Sequence, residues 1–129
     1  MTGEIFILVV EDEMLLQALL EEALKDGGYD GKVVSTGEEA IKLFDADEPK
    51  YRALITDVNL GRKVDGWDVA RRAREINADI PVVYITGHGG ADWASRGVPN
   101  SIVLTKPFAT AQLITAVSQL INTGQTPAP

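Results

Sequence analysis

The stretch Ile5-Phe6-Ile7-Leu8-Val9-Val10-Glu11-Asp12-Glu13 carries the reading of the whole chain. A continuous β-rich apolar run, without polar alternation, describes a strand buried on both faces of a sheet. Three carboxylates follow at once, so this strand leaves its core into a strongly acidic end. The run falls far short of the ~20 apolar residues a membrane span needs. No basic segment precedes it and acid follows it, which excludes a signal peptide. With no export signal, the expected location is cytoplasmic.

The same unit recurs to the end of the chain. Leu16, Leu19, Leu20, Ala23 and Leu24 fall at helical spacing and stop at Gly27-Gly28. A weaker strand around Lys32-Val33-Val34 carries a charge, as edge strands often do. Thr36-Gly37-Glu38-Glu39 reads as a capping box opening a second helix with Ala40, Ile41 and Phe44 inward, ended before Pro49. Ala53 to Thr56 is a third strand ending at Asp57, and Asp65 caps a third helix bearing Val69, Ala70, Ala73 and Ile76. Pro81 to Thr86 forms the fourth strand, with proline at its first position. The breaker-rich segment Gly87 to Asn100 leaves room only for a short helix around Ala91 to Arg96. Ile102 to Thr105 is the fifth strand; Leu113, Ile114, Val117, Leu120 and Ile121 mark the last helix. Strict β-α alternation predicts an α/β fold, a doubly wound parallel sheet with helices on both faces.

Composition agrees with one ordinary globular domain. The chain has 129 residues, 45% hydrophobic and 24% charged. It has no cysteine, which removes disulfides, thiolate metal sites and thiol catalysis. Twelve Lys+Arg against nineteen Asp+Glu give a net charge of −7, a poor match to nucleic acid or anionic membranes.

In wound sheets, ligands bind at the carboxyl ends of the strands. The polar residues stand there: Glu11-Asp12 after strand one, Asp57 after strand three, Thr86 on strand four and Lys106 after strand five. Neighbouring carboxylates repel one another, and a hard divalent cation relieves that; Mg²⁺ takes one or two carboxylates and keeps several waters. Lys106 and Thr86 suit phosphoryl oxygens. The set reads as a carboxylate nucleophile beside a metal, with two groups for a transferred phosphoryl. Taken singly, each residue has a plainer reading. Asp12 suits a helix cap, Glu11 and Glu13 favourable first-turn charges, Asp57 and Thr86 turn positions, and Lys106 a solvated surface charge. His88, the lone histidine, reads as a loop residue, and Trp67 and Trp93 as packing residues. The joint placement on four strand ends favours the site.

From residue 4 to about 122 the chain resembles the receiver domain of bacterial two-component response regulators. Val9-Val10-Glu11-Asp12-Glu13 looks like the family's acidic pair, and Leu54-Ile55-Thr56-Asp57-Val58-Asn59-Leu60 like its phospho-acceptor segment. Thr86-Gly87 resembles the switch threonine and its small neighbour; Lys106-Pro107-Phe108 resembles the lysine followed by a cis-proline. The resemblance implies a flavodoxin-like fold with strand order 2-1-3-4-5, as a receiver over 1–123 with a flexible tail over 124–129. It implies that Asp57 accepts a phosphoryl group from a sensor histidine kinase or a histidine phosphotransfer protein. It places Mg²⁺ on Glu11 (through water), Asp12, Asp57 and the Asn59 carbonyl, with Thr86 and Lys106 on the phosphoryl oxygens. The domain would catalyse only its own phosphotransfer and dephosphorylation, and would act on downstream partners by protein contact.

The pattern also departs from the family. The strand-five position three before Lys106 usually holds an aromatic and here is Val103. Tyr84, two residues before Thr86 and on the same side of its strand, is the alternative switch candidate. Pro81 to Gly89 partly resembles a stand-alone receiver subgroup with a Phe-Ala-Thr-Gly motif, which also lacks that aromatic. Twenty positions separate Thr86 from Lys106, about two fewer than usual, so the fourth helix should be short. The loop from Asp57 to Gly66 lacks the customary proline.

Other readings fare less well. A haloacid-dehalogenase-type phosphatase wants a second carboxylate where Asn59 stands. A flavodoxin-like cofactor binder needs a phosphate-friendly first loop, and Glu11-Asp12-Glu13 would repel the anion. A degenerate receiver serving only as an interaction module, or a receiver cut from a larger regulator or hybrid kinase, are the remaining alternatives.

Overall fold

Strand and helix alternate through the computed structural model, which describes residues 5–46, 50–61, 63–87 and 91–125. The order is β1 (Phe6–Val10), α1 (Met14–Asp26), β2 (Asp30–Val34), α2 (Gly37–Ala46), β3 (Ala53–Asp57), α3 (Gly66–Ile76), β4 (Val82–Thr86), α4 (Trp93–Arg96), β5 (Ser101–Thr105) and α5 (Thr110–Gln125). The five strands form one sheet in the order β2-β1-β3-β4-β5, and every pairing is parallel. This is the flavodoxin-like topology expected from the resemblance.

The two-residue period of the strands divides the core in two. Ile7, Val9, Ile55, Val83 and Ile85 face Leu20 and Leu24 of α1 and Leu113 and Val117 of α5. Leu8, Val10, Leu54, Val82 and Tyr84 face Ala40 and Phe44 of α2 and Val69, Ala70 and Ala73 of α3. Strands covered on both sides must be apolar throughout, which is why β1, β3 and β4 read as unbroken runs. The edge strand β2 pairs only with β1, begins at Asp30 rather than Lys32, and alternates exposed with half-buried positions before Val34.

The helix starts follow the sequence with one change. Asp65 caps α3 by accepting from the Asp68 amide at 3.0 Å while Asp68 accepts from the Asp65 amide at 3.2 Å. At α2, Thr36 Oγ1 accepts from the Glu39 amide at 3.1 Å, but the return bond to Glu39 comes from Ser35 N–H at 3.3 Å. The fourth helix is indeed short, four residues with none buried. Helix α5 continues through Gly124 and Gln125, so the expected tail begins inside a helix; residues 126–129 lie outside the described ones, as does His88.

Trp67 and Trp93 pack rather than form a platform. Trp67 is buried, with its ring centroid 4.6 Å from that of Tyr84, and Trp93 Nε1 donates to Ser101 Oγ at 2.9 Å. Among the described residues, no helix is long and apolar enough to cross a membrane.

Candidate functional site

Parallel pairing puts the carboxyl ends of β1, β3, β4 and β5 on one edge of the sheet. In register, Val10 lies beside Thr56, Asp57 beside Ile85 and Thr86 beside Thr105. The ladder then continues beyond the strands: Glu11 N–H donates to Val34 O at 3.0 Å, Val58 N–H to Ile85 O at 2.9 Å, and Lys106 N–H to Thr86 O at 2.8 Å. Each residue that follows a strand end is thereby held by main-chain bonds, which is how a loop position acquires a fixed geometry.

Glu11, Asp12 and Asp57 each bring a carboxylate oxygen within 4.8 Å of the others. Glu11 and Asp57 are buried and Asp12 is exposed. Asp57 Oδ1 accepts from the Asn59 amide at 3.0 Å, and Oδ2 from Lys106 Nζ at 3.0 Å. The same Nζ stands 3.8 Å from Glu11 Oε1. Glu11 Oε2 accepts from the Glu13 amide at 3.0 Å, but its Oε1 is buried and has no hydrogen-bond partner among the described residues. Asp12 does not cap α1: the cap position is Glu13, whose side chain makes no capping bond, and the first turn holds no acid. The acidic residues after β1 are thus spent on the cleft and not on the helix.

The electrostatics follow from this crowding. Burial, reinforced by the charges of Asp57 and Asp12, pushes Glu11 up to about 7 against the pull of the Glu13 amide and Lys106. Burial pulls Lys106 down, but its hydrogen bond and charge pairing with Asp57 outweigh this and leave it raised. A buried oxygen without a donor, beside two more carboxylates, fits a hard divalent cation with oxygen ligands.

Thr86 is buried at the end of β4, one residue past the Asp57–Ile85 pair. The Lys106–Pro107 bond is cis. Asn59 has its side chain in solvent and meets the site through its main chain. Tyr84 is elsewhere: it is fully buried, and its hydroxyl accepts from the Val98 amide at 3.0 Å on the connection from α4 to β5.

Two contributors have no signal in the sequence. Gly66 starts α3 hard against the site, since a Cβ there would lie 2.2 Å from Asp57 O. Gln17, on the first turns of α1, donates from Nε2 to Glu11 O and to Ser35 Oγ.

A family model described as the response regulator receiver domain matches residues 7–118. The chain is a response regulator receiver domain. The receiver is 45% identical to a response regulator receiver protein from Sinorhizobium medicae WSM419. The two structures agree with a TM-score of 0.92 over 95% of this chain and 98% of that one. It is 25% identical to the receiver domain of a sensor histidine kinase from Pseudomonas aeruginosa PAO1, whose structure has a magnesium ion in the active-site cleft. There the TM-score is 0.79, over 93% of this chain and 99% of that one. It is also 34% identical over 125 residues to the transcriptional regulatory protein TcrA of Mycobacterium tuberculosis, covering 95% of this chain and 48% of that protein. The receiver spans about half the length of the curated relatives it matches.

Proposed function

We propose that this receiver accepts a phosphoryl group onto Asp57 from a phosphohistidine, in a Mg²⁺-dependent reaction that the domain itself catalyses. The donor would be a sensor histidine kinase or a histidine phosphotransfer protein. The observation that carries the reading is the carboxylate cluster of Glu11, Asp12 and Asp57 with Lys106 Nζ bonded to Asp57 Oδ2.

An Asp57 oxygen attacks phosphorus in line. The new O–P bond forms as the N–P bond breaks, and the electron pair leaves on the imidazole nitrogen, which takes up a proton. Glu11, Asp12, Asp57 and the Asn59 carbonyl would hold Mg²⁺, which when bound neutralises charge on the phosphoryl oxygens. Lys106 would exchange its bond to Asp57 for one to a phosphoryl oxygen, and the Thr86 hydroxyl would donate to another. Water attack on the aspartyl phosphate then releases inorganic phosphate and restores the carboxylate. Output would pass through protein contact, with Thr86 as the switch. Tyr84 would act from inside the core, through the Val98 main chain that it holds. Half-length coverage of the curated relatives favours a second form of the same reading, in which this receiver is one part of a larger regulator.

Intact mass after incubation with Mg²⁺ and acetyl phosphate tests the reading. Wild type should gain one phosphoryl mass and Asp57→Asn none. No gain by wild type, together with no Mg²⁺ binding by titration, would leave the domain as a phosphorylation-independent interaction module.

A further inference from the structure

The turn that joins β1 to α1 carries Glu11 and Asp12 and is closed on itself by the Glu13 amide donating to Glu11 Oε2 at 3.0 Å, but it has no side-chain helix cap. Its helix cap, Glu13, makes no side-chain capping bond. Three successive carboxylates, Glu11, Asp12 and Glu13, favour spreading apart. On one side the turn is tied to β2 by Glu11 N–H on Val34 O at 3.0 Å. On the other side the main-chain carbonyls of the turn are tied to α1 by Gln17. Gln17 N–H donates to Glu13 O at 2.9 Å, and Gln17 Nε2 donates both to Glu11 O and, at 3.0 Å, to Ser35 Oγ on the connection from β2 to α2. Two main-chain carbonyls of the acidic turn therefore hang on Gln17, and its side-chain amide is braced by Ser35 on the connection from β2 to α2.

We propose that Gln17 is a positioning residue for cation binding: its amide, braced by Ser35, locks the Glu11 carbonyl and so sets the direction of the Glu11 and Asp12 carboxylates. The inference rests on the Mg²⁺ reading above. Partners that orient metal ligands from behind typically change affinity ~10- to 100-fold when removed. An apolar replacement of similar length that keeps helix propensity, Gln17→Met, removes the side-chain amide donors while the main-chain bond to Glu13 O and every carboxylate stay. Ser35→Ala removes only the brace.

The experiment is calorimetric titration of the intact chain with Mg²⁺ alone, run for wild type, Gln17→Met, Ser35→Ala, the Gln17→Met/Ser35→Ala double variant and Asp12→Asn, with thermal unfolding of each metal-free protein. Gln17→Met should weaken Mg²⁺ about tenfold and Ser35→Ala about threefold, and the double variant should lose less than the product of the two. With acetyl phosphate, Gln17→Met should need about tenfold more Mg²⁺ for half-maximal phosphorylation and reach the wild-type rate at saturation. A role confined to helix stability would lower the melting temperature and leave the Mg²⁺ dissociation constant within about twofold of wild type, and that result overturns the proposal. If wild type binds no Mg²⁺, or Asp12→Asn binds it as wild type does, the metal reading falls and this inference with it. A wild-type constant for Gln17→Met beside a lost one for Asp12→Asn overturns this inference alone.

Discussion

Lys106 Nζ lies 3.0 Å from Asp57 Oδ2, an ion pair across the carboxyl edge of the sheet between residues 49 positions apart in the chain. The pair is partly buried, with 29% of the lysine side chain and 7% of the aspartate side chain exposed, so solvent screens it less than a surface pair. Lys106→Met should leave Mg²⁺ binding in place and slow phosphorylation by acetyl phosphate about 100-fold, as loss of one charged donor to a transferring group does. The phosphorylation time course, read by intact mass at saturating Mg²⁺, checks it.

Asp12 is the exposed member of the carboxylate cluster and holds no capping bond, so its replacement costs the fold little. Asp12→Asn should keep the melting temperature within a degree or two, roughly the scatter of a surface change, and abolish Mg²⁺ binding by calorimetry.

Glu11 gives the metal-free protein a pH dependence of definite sign. Its carboxyl is raised by burial from 4.5 to about 7, so between those values the folded state holds a proton that the unfolded state has lost. Stability from this group is present below the unfolded value and falls as pH rises through about 7. Melting temperatures measured from pH 5 to pH 8 without metal should decline. Saturating Mg²⁺ should reduce or reverse the decline, because the cation favours the ionised carboxylate.

Gly66 cannot be enlarged without moving the strand that carries Asp57. The added Cβ of Gly66→Ala would meet Asp57 O at 2.2 Å and Val58 Cα at 2.9 Å, and both are main-chain atoms that cannot rotate away. A loss of about 2 kcal/mol is expected, with a melting temperature lower by about 8 °C. Urea unfolding checks the first and calorimetry the second.

Tyr84→Phe leaves the Val98 amide buried without its acceptor. The expected loss is about 1 to 2 kcal/mol, because removing one partner costs the desolvation of the other. Hydrogen exchange at the Val98 amide should accelerate while exchange in β1 and β3 stays close to wild type.

Much of this is legible along the chain because it is local. Ile5 to Val10, Ala53 to Asp57 and Pro81 to Thr86 announce their strands through continuous apolar residues, and the polar residues that end them announce the edge that carries the carboxylate cluster. The Asp65 cap is likewise a matter of a few neighbouring residues, and it forms as read. Reading weakens where the signal is diluted. Asp30 and Gly31 belong to β2 because β1 offers them a ladder, though neither residue favours a strand. Gly124 stays helical at the end of α5, although glycine among polar residues reads as a tail.

The alternation of strand and helix, the two-sided sheet and the strand-end positions of Glu11, Asp12, Asp57, Thr86 and Lys106 are all written along the chain, since each depends on periodicity or adjacency. The packed chain alone leaves Glu11 Oε1 buried without a donor among the described residues, brings Gln17 back to Glu11 O and across to Ser35, leaves no room for a Cβ at Gly66 beside Asp57 O, and sets the Tyr84 hydroxyl on the Val98 amide. The physical reason is range. A helix or a strand end is set by contacts within a few residues, whereas hydrogen-bond satisfaction, close main-chain approach and the pKa of a buried carboxyl depend on which distant segments the packed sheet brings together.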